Sequence, residues 1–180
     1  FSSEEGDDAD FPGGEIMNTL HERQVFGLSG GYRDDQNEIG IEFRRQETGP
    51  TGNPPFAMDI KFVDTDFANL NYQTTVTDIL LTGSLGVSDV DHEMTNFELR
   101  DVPAGPMRHR LTRAEARTVT AARGAATEIG SGDLRVGVDS SNADLEVRIT
   151  NPNDADFFLD NLPGIEVDRY GLYADWSQPL

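Results

Sequence analysis

Cysteine is absent from the 180 residues, and lysine occurs once, at Lys61. Without cysteine there are no disulfides and no thiolate metal sites, so stability has to come from a core or from assembly. Clustered basic residues are missing too: 14 Lys and Arg stand against 33 acids, a formal charge of -19. A field of that sign argues against contact with phosphate backbones, and no nucleic-acid partner is expected. No stretch approaches the roughly 18 consecutive apolar residues of a membrane-spanning helix. No Asn-x-Ser/Thr sequon occurs. The opening Phe1-Ser2-Ser3-Glu4-Glu5 is acidic rather than basic and then apolar, so no signal peptide is visible. The missing initiator methionine points to a removed leader or an upstream segment.

What is present in excess is carboxylate. A folded domain of 19.8 kDa exposes roughly 8,600 Å², so this one carries about one net negative charge per 450 Å². In dilute buffer such a surface repels itself. At 1 M salt the Debye length shrinks to about 3 Å and the repulsion is screened. Short, strongly hydrated acids in place of lysine stems suit a halophilic protein with an acidic surface.

The rhythm of the chain is mostly that of strands. Residues 1–14 read as a flexible acidic arm and residues 15–180 as a single β domain. Alternation of period two runs through Gln24–Leu28, Ile39–Arg44, Phe56–Val63 and Tyr72–Leu81. It continues in Phe97–Val102, Leu134–Val138 and Leu145–Ile149, with Asp139–Asn142 between the last two as a hairpin connection. Asp156–Leu162 and Ile165–Trp176 close the chain. One stretch departs: Thr112-Arg113-Ala114-Glu115 has the capping-box pattern and opens an alanine-rich run, predicting a short helical insertion over 112–126. The expected fold is all-β, a single jelly-roll or β-sandwich barrel of about 8–10 strands with that one insertion.

Candidate chemistry is sparse. Gly27-Leu28-Ser29-Gly30-Gly31 matches the nucleophile-elbow pattern, but no helix follows it, and a glycine-rich turn is the plainer reading. His21, His92 and His109 share no metal-ligand spacing. Asn151, Asn153, Asp154 and Asp156 form an oxygen-rich loop that could offer calcium its ligands, although it does not follow the EF-hand spacing. No catalytic residue, resident metal or cofactor is assigned, and an enzyme is not expected. Phe1 and Phe11 in the arm and Tyr173 and Trp176 near the end are the candidates for subunit contacts.

In size, composition and strand rhythm, from Gln24 to Trp176, the chain resembles the small major capsid proteins of halophilic archaeal icosahedral viruses. These are the single vertical β-barrel type surrounding an internal membrane. The resemblance implies a structural protein of the virion, a capsid subunit assembling in high salt with itself or a related subunit. It would lie near the membrane without spanning it. The alternative is a secreted or cell-surface β-sandwich of a haloarchaeon, serving binding or filament formation.

Overall fold

The computed structural model describes residues 1–101 and 104–178. Ten strands account for most of it: β1 (Ser2–Gly6), β2 (Ala9–Phe11), β3 (Gly14–Ile16), β4 (His21–Arg33), β5 (Asn37–Thr48), β6 (Asp59–Val76), β7 (Ile79–Thr95), β8 (Leu111–Ile129), β9 (Gly132–Asn151) and β10 (Asp154–Ser177). The fold is all-β. Eight strands form one antiparallel sheet in the order β1-β4-β5-β6-β7-β8-β9-β10, and β2 and β3 form a separate hairpin. From β4 onward every neighbour in the sheet is also the next strand in the chain. This is an up-and-down meander; the crossings that make a Greek-key jelly roll are absent among the described strands.

The segment 112–126 is not helical. It lies inside β8, paired along its whole length with β7 on one side and β9 on the other. Leu111, Arg113, Glu115, Arg117 and Val119 face one way, and Thr112, Ala114, Ala116 and Thr118 the other. Two full ladders and the β-branched centre Thr118-Val119-Thr120 outweigh alanine's helical preference. Asp139–Asn142 is not a turn either but the middle of the 20-residue β9. Ser29 sits mid-strand in β4, and Ser2–Gly6 of the acidic arm pair with His21–Val25. Residues 96–100 form bends rather than a strand, and Val102 and Pro103 at its expected end lie outside the described residues.

Connections differ sharply between the two rims. At one rim Thr77–Asp78 joins β6 to β7 and Gly130–Ser131 joins β8 to β9, with left-handed φ of 59° at Thr77 and 63° at Gly130. The opposite rim carries the long connections 49–58 and 96–110, together with a two-residue turn between β9 and β10.

The sheet is open. Among the described residues β10 has no partner on its outer edge, and β4 is covered by β1 only at His21–Val25. No hydrophobic side chain is buried among the described residues. The surface of 12342 Å² exceeds the roughly 8,600 Å² of a compact chain of this mass by about 1.4-fold. Nothing here is a conventional core.

Candidate functional site: a sheet with two opposite faces

Paired residues of adjacent strands share a face, so the registers sort every side chain. One row across the sheet runs Tyr32, Ile39, Tyr72, Gly83, Arg123, Val138 and Leu172. The next runs Leu28, Phe43, Ala68, Val87, Val119, Asn142 and Asp168. A third, nearest the short turns, runs Val76, Ile79, Thr127, Leu134 and Trp176. These rows belong to one face, here the outer face, and they make a continuous apolar band exposed to solvent, with Leu28 67% and Leu172 86% accessible.

On β6 and β7 the band is nine residues tall, Ala68–Val76 and Ile79–Val87. That is the length a tilted strand needs to cross a bilayer's hydrocarbon. The band slides obliquely against the hydrogen-bonded rows: the Leu28 row is apolar as far as β8 and polar on β9 and β10, whereas the Trp176 row is apolar at the β10 end. Oblique drift is what strands tilted about an axis produce. Aromatic residues stand at the margins of the band, Phe26, Phe43 and Tyr170 toward the loop rim and Tyr32 and Trp176 toward the turn rim.

At the same level the inner face is polar and small. Its rows read Gly31, Gly40, Asn71, Ser84, Ala122, Asp139 and Gly171, then Ser29, Glu42, Asn69, Gly86, Thr120, Ser141 and Arg169. The stretch 142–148 of β9 alternates exposed on the outer face and half-buried on the inner, as in a sheet curling toward its inner side.

Tyr173 lies on this inner face, its ring laid across Gly137 with the hydroxyl beside Gly124. A β-carbon on Gly137 would run into that ring. Gly137→Ala should therefore cost about 1–3 kcal/mol, the range for overpacking, and Gly137→Ala with Tyr173→Ser should recover most of the loss. Urea midpoints of the two variants check this; equal losses in both would mean that the ring is not the obstacle.

Beyond the band, toward the loop rim, the polarity of both faces inverts. Outward there are now carboxylates and their partners: Arg45 with Asp66 (3.1 Å) and Glu47 (2.7 Å), Arg113 with Asp91 (2.7 Å) and Glu115 (3.0 Å), and Arg148 with Asp160 (2.7 Å). Burial, and then the neighbouring carboxylates of Glu47, Asp91 and Asp66, push Asp64 above the usual aspartate range against the pull of Arg45. Inward the same rows read Val63, His92, Ala114, Val147 and Leu162. Burial holds the His92 imidazole below its usual range despite the nearby Asp91, and among the described residues its Nε2 has no hydrogen-bond partner.

The residues singled out from the sequence do not converge. Phe1 is 87% exposed beside β1, Phe11 lies on the small hairpin, Tyr173 faces inward and Trp176 outward. Asn151, Asn153, Asp154 and Asp156 do come together, in the β9–β10 turn. There Asn151 Oδ1 accepts from the Asn153 amide (2.9 Å), Asp154 Oδ1 accepts from the Asp156 amide (3.2 Å), and the Asn151 carboxamide donates to the Pro106 carbonyl (3.1 Å). Sequence reading overlooked Arg123, a cation in the middle of the outer band; its signal was one arginine at an outward position between Val119, Ala121, Ala125 and Thr127.

No family model matches the chain, and no curated protein does. Among solved structures it is similar to one described as "Copper transporter OprC", with a TM-score of 0.79 at 16% identity, covering 97% of this chain. The chain spans 28% of that protein's length. At this identity the likeness is one of fold.

Proposed function

We propose that this chain is a section of the wall of a transmembrane β-barrel, its outer band against lipid and its inner face lining a polar passage for solute. The observation that carries the reading is the pairing of a nine-residue-tall apolar band outside with rows of Ser, Thr, Asn and Gly inside. A lipid-facing wall alternates in this way, with short turns at one rim and longer loops at the other. Exposed backbone edges cannot persist in hydrocarbon, so β10 and the lower part of β4 call for further strands to close the wall. Similarity to part of a much longer transporter supports a section rather than a whole barrel.

The acidic zone outside the loop rim suits multimolar salt, in keeping with the composition. A coat subunit shares that composition, but its sandwich would bury an apolar core between sheets, whereas the apolar residues here lie on an exposed face.

The absence of cysteine makes the test direct. Single cysteines placed in turn at positions 79–88 of β7, with the wall closed by the further strands its edges call for and held in phospholipid vesicles, should label alternately with a water-soluble maleimide. Even, inward positions should react; odd, outward ones should be protected and quenched by lipid-borne probes. Uniform labelling along β7 would sink the reading.

A further inference from the structure

Arg123 is out of keeping with its surroundings. It stands on the outer face directly opposite Gly83 on β7 and Val138 on β9, inside the apolar band, and among the described residues it has no salt bridge. A guanidinium facing lipid at this depth is costly and calls for an anionic partner. Beside it the outer surface is hollowed. Ala121 and Ser140 are small, Val138 flanks them, and Tyr170 and Leu172 of β10 rise as one wall. The exposed lining of the hollow is almost wholly apolar; its polar residues are Arg123, Ser140 and Asp139, the last at an inward position of β9.

Charge complementarity selects an anion, and the apolar slot selects one attached to a hydrocarbon chain. The carboxylates of a second copy do not fit. The outward acids that register with this surface, Asp89, Asp144, Glu166 and Asp168, all lie toward the loop rim, and a copy inserted in the same direction would hold its own at that higher level.

We propose that Arg123 and this slot form a binding site for an anionic phospholipid. An acyl chain lies along Ala121, Ser140 and Leu172, while the arginine stem extends along the apolar surface to bring its head to the lipid phosphate. The inference rests on the membrane-wall reading, and its test separates the two.

The protein in zwitterionic micelles is titrated with phosphatidylglycerol and, separately, with phosphatidylcholine of the same chains, and bound lipid is counted by native mass spectrometry. Phosphatidylglycerol should be retained about fivefold more tightly, the contribution of one cation near an anionic headgroup. Arg123→Leu should abolish the preference, and Arg123→Lys should keep part of it. Ala121→Trp, which fills the slot and leaves the arginine, should weaken retention of both lipids. Equal retention of the two lipids, or a preference unchanged in Arg123→Leu, overturns the site, as does full displacement by inorganic phosphate, which would mark a simple anion site. Alternating cysteine labelling on β7, measured in the same micelles, reports the wall independently. If it persists while lipid preference is absent, the lipid site alone fails; if it is lost, the wall fails with it.

Discussion

On the proposed membrane wall, Leu85→Arg is expected to cost about 2–4 kcal/mol of stability, and Ser84→Arg, one residue earlier in the same strand, close to nothing. Leu85 lies on the outer face between Leu70 of β6 and Ala121 of β8, near the middle of the nine-residue band of β7. With lipid against the outer face, as proposed, a guanidinium there would have to be drawn through hydrocarbon to reach water. Ser84 lies on the inner face between Asn71 and Ala122, where on the proposed wall an arginine would meet a polar passage. Adjacent residues, the same incoming side chain and opposite faces isolate the solvent on each side of the sheet. The measurement is urea unfolding from phospholipid vesicles, followed by loss of strand circular dichroism. Equal destabilisation would mean that both faces meet the same medium, which no membrane wall allows. A soluble two-layer protein would give the reverse order at any position where the inner face is the packed one.

The all-β class was legible because alternation of period two survives in almost every strand. Strand length was not, and β9 shows why. Leu134, Val136 and Val138 are apolar at even positions, whereas Leu145, Val147 and Ile149 are apolar at odd ones. A phase change of that kind reads as two strands joined by a turn at Asp139–Asn142. In the structure it is one strand passing from a level where the outside is apolar to a level where the inside is. β10 behaves similarly: Pro163 and the left-handed Gly164 interrupt the pattern, and the ladder to β9 absorbs them as shifts of register around Leu162. The band was concealed for a second reason. A barrel wall exposes one residue in two to lipid, so no window becomes hydrophobic, and the mean hydropathy of the chain is -0.50. Which face is apolar becomes visible only when the registers place Leu28, Phe43 and Val87 in one row.

Arg100→Ala is expected to cost about 3–5 kcal/mol of local stability, the penalty for leaving a buried charge without its partner. The charge is that of Asp59, whose side chain is 1% exposed at the loop-rim start of β6. Arg100 reaches it from the β7–β8 connection with Nε at 2.6 Å and with Nη2, and the same guanidinium donates to the carbonyls of Phe56 (2.7 Å) and Asn53 (3.3 Å). The Asn53 amide donates to Asp59 as well (2.9 Å). One arginine thereby ties the two long connections of the loop rim to each other and to the sheet. Burial alone would raise the Asp59 carboxyl; hydrogen bonds from Arg100 and Asn53 and the arginine's charge together hold it below the ordinary aspartate range. The pair's contribution is thus complete near neutral pH and is lost as pH falls below about 4, through the folded carboxyl's own titration. Hydrogen exchange reads the effect where it occurs. In Arg100→Ala the amides of Asn53 and Phe56, which donate to Asp59 Oδ1 and to the Asn53 carbonyl, should exchange faster at pH 7 by about a hundredfold or more, the rate equivalent of that loss, and those of Asn71 and Ser84 should not change. The loss should also shrink as pH drops below about 4, because the parent then weakens toward the variant. An unchanged rate at Asn53 would show that the connections are held by the sheet and not by this pair. A pH-independent difference would mean that the arginine acts through its contacts with the two carbonyls and not through Asp59.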